Sequence, residues 1–212
     1  MGRPEILAPA GSREALTAAV RCGANAVYLG GKSLSARQNA RNFDPDELKE
    51  AVDYCHLRDV KVYQTINTLV TDGQQELLEQ AAREALTAGV DAVLVQDLGV
   101  LRYLRDCCPD LPLHASTQMV VHNLASAKAA AALGCSRVVL ARECSREEIK
   151  LITDRCGVET EVFVHGALCM SLSGQCYLSS MIGRQLFLHV LVPRRADKDC
   201  VLHQTHKAPE GV

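Results

Sequence analysis

The residues best equipped for chemistry stand together in EVFVHGALCMSLSGQCYLSS, residues 161–180, where Cys169 and Cys176 are seven apart and His165 precedes the first by four. Thiolates are soft metal ligands and strong nucleophiles, so the pair reads as half of a metal site, and Cys169 with His165 as a thiol–imidazole couple. On an unbroken helix, residues seven apart share a face but lie roughly 10 Å apart along the axis, too far for one ion. Gly174 offers a break that would fold the second thiol back, and a multi-iron cluster tolerates a wider separation than a single ion. Two cysteines packed as small hydrophobes fit the same spacing.

Something must position these residues. Apolar runs alternate with amphipathic stretches along the whole chain, the order of a parallel sheet covered by helices. The runs predict seven strands, at 5–8, 26–30, 61–67, 92–96, 112–116, 137–141 and 160–165. Helix starts are marked by Ser12, by Asp44-Pro45-Asp46-Glu47 and by Ser145 with Glu148; each supplies a capping oxygen, and the last two supply capping boxes. Gly23, Gly89 and Gly134 each stand where a helix must stop before the next strand. Seven such units predict an α/β chain folded as an incomplete (β/α)8 TIM-like barrel, with a doubly wound open sheet as the alternative. The absence of Gly-x-Gly-x-x-Gly after the first strand weighs against the dinucleotide-binding form of that alternative.

In a barrel of this kind, residues just past each strand line one mouth. That places Asn67, Gln96, Asp97, Ser116, Thr117, Gln118, Arg142, Glu143 and His165 there with the cysteine segment. His165 and His114 end strands and are candidate proton carriers; Gln118, Glu143 and Arg142 are further catalytic candidates. Lys32, Arg37 and Arg41 in the loop 30–43, with Asn67, are candidate contacts to phosphate or a small anion. Helix caps and loop-satisfying bonds would explain many of the same residues.

Composition limits the partners. Lys+Arg 23 against Asp+Glu 25 gives a formal charge of −2, so no global basic field is present; DNA and membrane surfaces are not expected partners, and any RNA contact is local. Ten cysteines follow no charged-then-apolar leader, which predicts a reducing, cytoplasmic setting rather than a disulfide framework. A Gly-x-Ser-x-Gly elbow and a His-Glu-x-x-His helix are both lacking.

The segment 161–179 resembles the signature of the collagenase-like peptidase family U-thirty-two. The match comprises Glu161, Phe163, Gly166-Ala167-Leu168-Cys169, Gly174-Gln175-Cys176 and Ser179. LAPAG (7–11), GANAVYLGG (23–31), the stretch 36–43, HASTQ (114–118) and LARE (140–143) extend the resemblance to about residue 184. It implies a barrel and two alternative activities. One is the peptidase of the family name. The other is an oxygen-independent, iron–sulfur hydroxylase of pyrimidines in ribosomal or transfer RNA, with a [4Fe–4S] cluster on four cysteines and prephenate as an anionic co-substrate.

Carried over by position, Cys169 and Cys176 match two cluster ligands. HASTQ and LARE look closer to the ribosomal-RNA branch. The family pattern then continues with two more cysteines and an eighth strand, whereas LFLHVLVPRRADKDCVLHQTHKAPEGV here matches neither. The expectation is a barrel domain over 1–185 and a divergent tail over 186–212, from a frame disruption, gene fragment or wrongly joined end. In that tail the apolar run 186–192 could serve as a surrogate eighth strand, and residues from 193 onward are expected to be disordered. A catalytically silent fragment that acts only as a binding module is a third reading.

Overall fold

Side-chain caps fix where the helices begin. The Ser12 hydroxyl accepts from Ala15 N at the start of α1 (Arg13–Arg21). Asp44 and Glu47 form a reciprocal capping box at α2 (Pro45–His56), with Pro45 in the first turn, and Ser145 and Glu148 repeat it at α6 (Arg146–Arg155). Each box satisfies two backbone N–H groups that the helix itself leaves unpaired. At the other ends Gly23, Gly89 and Gly134 all adopt positive φ, +79° at Gly89 after α3 (Gln75–Ala88). That conformation turns the chain into the following strand without a Cβ clash. Among the described residues the other α-helices are α4 (Leu98–Cys107) and α5 (Leu124–Ala132).

The computed structural model describes residues 3–36, 40–166 and 171–173, and the backbone alone of residues 203–206. Its strands are β1 (Glu5–Pro9), β2 (Ala26–Gly30), β3 (Lys61–Ile66), β4 (Ala92–Val95), β5 (Leu113–Ala115), β6 (Cys135–Val139), β7 (Glu159–Phe163) and β8 (His203–His206). They close into one barrel in sequence order. β1 to β7 run parallel, and β8 lies antiparallel to both β7 and β1. All seven expected strands are present. β6 starts earlier than expected because the register shifts between Leu113 and His114 opposite it.

The eighth place differs from expectation. It is held by His203–His206, so the tail is not without structure at that point; the run 186–192 lies outside the described residues. A strand of either direction can supply the hydrogen bonds left open on β1 and β7. Here Leu7 and Phe163 both pair with His203.

Side chains on successive strand positions alternate between two cores. On β4, Val93 and Val95 pack outward among residues of the helices, including Leu16, Leu48, Leu78, Leu104 and Ile152. Ala92 and Leu94 point inward with Leu7, Ala26, Tyr63 and Val139. The inward apolar cluster is small because much of the lumen is polar.

Candidate functional site

The lumen carries polar residues at both ends. At the N-terminal end, Arg137 on β6 is almost fully buried. Its Nε and Nη2 donate to Glu159 Oε2 at 2.9 and 2.6 Å, and its Nη1 donates to Glu5 Oε1 at 2.8 Å. Glu161 Oε2 lies 3.6 Å from Nη1, the Tyr63 hydroxyl donates to Glu5 Oε1 at 2.9 Å, and Lys61 stands 3.7 Å from Glu5. Burial opposes the Arg137 charge, but Tyr63, Glu5 and Glu161 outweigh it and raise its pKa. Arg137 lies opposite Glu159 in register, two residues along β7 from Glu161, so one guanidinium reaches both carboxylates. The sequence signal that could have found this network is an arginine and two glutamates at inward positions of otherwise apolar or β-branched strands.

His114 belongs to this interior. Its ring meets Tyr63 edge-on, with centroids 4.8 Å apart at 74°. Burial, then the charges of Arg137 and Lys61, hold its pKa well below the ordinary imidazole value. The neutral form of the ring is therefore favoured over the charged one. His165 lies exposed just past β7.

The C-terminal mouth is the candidate site. Asn67 Nδ2 donates to Ser116 Oγ at 3.5 Å, joining the ends of β3 and β5 across β4, which lies between them. Asn67 Oδ1 accepts from Ala36 N at 3.0 Å, so the loop after β2 is drawn onto β3. Asp97 Oδ1 accepts from Gly99 N and Val100 N at 2.6 and 3.1 Å, while its Oδ2 accepts from Val70 N at 3.2 Å. Asp97 therefore caps α4 and ties it to the β3 loop. Ser116 caps the short turn Thr117–Met119, and Gln118 is buried beside it.

Two anion-contact candidates are engaged within their own loop. Lys32 Nζ donates to Arg41 O at 2.9 Å and Asn42 O at 3.3 Å, and Arg41 pairs with Glu47 at 3.3 Å. The loop folds back so closely that a Cβ at Gly30 would strike Ser35 Oγ and Asn42 Oδ1. Arg37 lies outside the described residues, as do Cys169 and Cys176.

After β6, Glu143 holds Ser173. Ser173 N donates to Glu143 Oε1 at 2.9 Å, Ser173 Oγ donates to Oε2 at 2.5 Å, and Arg142 N donates to Ser173 Oγ at 2.9 Å. Burial pushes the Glu143 carboxyl up, but the Ser173 hydroxyl and N–H bring it below the ordinary value. The Arg142 guanidinium stands 6.0 Å over the Phe163 ring.

Among the described cysteines, Cys144 follows Glu143 after β6, and the rest lie at helix ends or at the start of β6. Cys55, Cys108, Cys135 and Cys156 are buried, as a packing role requires, and burial pushes the Cys55 and Cys135 thiols up to about 11. Cys22 and Cys107 are exposed at helix ends, so packing does not explain them; Cys144 is half-buried. Among the described residues no group of three or more His, Cys, Asp or Glu could hold a metal ion, and no helix is long and apolar enough to cross a membrane. A four-thiolate cluster is thus not fitted by the described residues, and Cys169 with Cys176 would supply half of one.

Comparison with known proteins places this barrel. Over 177 residues the chain is 38% identical to the 23S rRNA 5-hydroxycytidine C2501 synthase of Escherichia coli strain K12, covering 84% of this chain and 26% of that protein. Over 178 residues it is 36% identical to tRNA hydroxylation protein P1 of Bacillus subtilis strain 168, covering 84% and 42%. The chain thus spans less than half the length of these relatives. The solved U32 peptidase Mk0906 superposes with a TM-score of 0.66 at 19% identity, over 80% of this chain and 72% of that one, and shares the fold. Residues 11–187 match Peptidase family U32, and the chain belongs to that family.

Proposed function

We propose that this barrel serves the oxygen-independent hydroxylation of pyrimidines in ribosomal or transfer RNA by an iron–sulfur enzyme. The observation that carries the reading is the Glu143–Ser173 tie. Ser173 is four residues past Cys169 and three before Cys176, and it is bonded to Glu143 in the segment that follows β6 at the barrel mouth. The named hydroxylating relatives add support. Cys169 and Cys176 would each give a thiolate to a cluster whose chemistry is electron transfer; the two remaining ligands are not on the described residues.

The chain's own mouth supplies the binding work. Its amides and hydroxyls at Asn67, Gln96, Ser116, Thr117 and Gln118 are neutral hydrogen-bonding groups suited to a base. Arg142 makes no ion pair among the described residues, and is the cation placed to meet a small anionic co-substrate such as prephenate. The peptidase reading needs a nucleophile bonded to a base. Among the described residues a hydroxyl meets a carboxylate at Ser173 and Glu143, but Ser173 has no exposed surface for a substrate to reach, and neither His114 nor His165 has a hydroxyl or thiol partner.

The test is mass spectrometry of nucleosides from ribosomal and transfer RNA of cells with the gene, without it, and carrying Cys169→Ser. Loss of one hydroxylated pyrimidine in the last two supports the reading. Identical nucleoside profiles in all three, with gelatin cleavage that Cys169→Ala abolishes and chelation spares, would establish the peptidase instead.

A further inference from the structure

At the ends of β3, β4 and β5 the mouth holds buried polar atoms with no partner among the described residues: Thr68 Oγ1, Gln96 Oε1 and Thr117 Oγ1. They occur on three adjacent strand ends. Gln96 is the central one. It follows β4 on the face of Ala92 and Leu94, hence inward, and the Asn67–Ser116 bond bridges the strands on either side of it. Its residue exposure is 7%. Buried carboxamides are ordinarily bonded, and one left unpaired lowers stability unless a ligand completes it.

The surroundings specify that ligand. Asp97 is turned away to cap α4, and Lys32 and Arg41 are engaged in their loop, while the bonded pair at the ends of the flanking strands, Asn67 and Ser116, is an amide and a hydroxyl. A neutral ligand is therefore favoured over a phosphate. At the same end of the barrel, Leu69 after β3 and Leu98 at the start of α4 are exposed, and the Val70–Asp97 bond ties these two segments together, giving apolar surface at the mouth. A flat molecule with apolar faces and a donor–acceptor edge fits this combination, which describes a nucleobase.

Resting on the RNA reading above, we propose that Gln96 is a specificity residue that takes the Watson–Crick edge of a pyrimidine. Its carboxamide has one donor face and one acceptor face. With the NH2 toward N3 and Oε1 toward the 4-amino group it complements cytosine; rotated half a turn, it complements uracil.

The experiment compares wild type, Gln96→Leu and Gln96→Met in thermal unfolding and in fluorescence anisotropy with single-stranded ten-nucleotide RNAs of cytidine, uridine or adenosine. Both variants are expected to keep or raise Tm, by roughly 3 °C, because they remove an unsatisfied amide. Affinity for the pyrimidine RNAs should fall roughly tenfold or more. A drop in Tm in both variants would make the carboxamide structural and overturn the proposal. So would unchanged pyrimidine affinity, although the RNA reading would then stand if wild type prefers pyrimidines. A wild type that does not prefer pyrimidine RNA removes the RNA reading, and the proposal with it.

Discussion

Glu143 and Ser173 share two hydrogen bonds through both carboxylate oxygens of one and both donors of the other, 30 residues apart in sequence. Ser173 has no exposed surface, so these bonds are the means by which its N–H and O–H are satisfied. Glu143→Ala strands both donors, and should destabilise the fold by about 1–3 kcal/mol. Glu143→Gln keeps one acceptor and should lose less. Urea unfolding measures the difference, and hydrogen exchange reports the Ser173 amide directly. Unchanged protection of that amide in Glu143→Ala would show that another group holds the segment.

Arg137 is a buried cation against three carboxylates, one of them on fully buried Glu161. Removing the cation leaves the carboxylates uncompensated, whereas removing charge on both sides does not. Arg137→Met should therefore destabilise by about 3–5 kcal/mol, and Arg137→Met with Glu161→Gln by clearly less. Equilibrium unfolding of the two single variants and the pair closes the cycle. Strictly additive losses would mean that Glu161 and Arg137 do not act on each other.

The fold was legible in the sequence where local chemistry carries it. Ser12, Asp44 with Glu47, and Ser145 with Glu148 cap helices at the expected positions because capping depends only on residues a turn apart. Closure of the barrel was not legible in the same way. Strand β8 is a four-residue polar segment, and its place depends on edges of β1 and β7 that lie 40 or more residues away in sequence. At the site, the mouth position of Asn67, Ser116 and Glu143 follows from strand order alone. The Arg137 network does not, since the pattern shows that 137, 159 and 161 face inward but not that one guanidinium reaches Glu5 across the lumen. For the same reason Lys32 and Arg41 read as anion contacts, while the folded loop turns both onto its own oxygens and carboxylate.

His114 should make stability sensitive to mild acid. Its folded pKa is depressed below the ordinary 6.5, first by burial and then by Arg137 and Lys61. A group depressed in this way contributes stability that is present above its unfolded pKa and is lost as pH falls below that value toward the folded pKa. Wild type should therefore lose stability between pH 7.5 and 5.5. His114→Phe keeps an edge-on ring against Tyr63 but carries no proton, and its stability should change less over that window. Chemical denaturation at the two pH values measures this. Equal slopes for wild type and variant would mean that His114 is charged without penalty.

Val120 adopts φ 54° and ψ 47°, a left-handed conformation that a β-branched residue rarely occupies. It immediately follows the Thr117–Met119 turn, donating its N–H to Thr117 O at 3.0 Å and accepting from His122 Nδ1 at 2.9 Å. The left-handed region costs an L residue roughly 1–2 kcal/mol, and glycine avoids that cost while gaining freedom in the unfolded chain. Val120→Gly should then be stabilising by about 0.5–1 kcal/mol. Strain of this kind persists where surrounding contacts impose it, and here it fixes the turn that presents Thr117 and Gln118 to the mouth. The same variant should therefore bind pyrimidine RNA more weakly while melting higher. Thermal unfolding and anisotropy on one preparation decide the point: a lower Tm would mean that Val120's packing outweighs its backbone strain, and a higher Tm with undiminished binding would mean that the turn needs no strain to present its side chains.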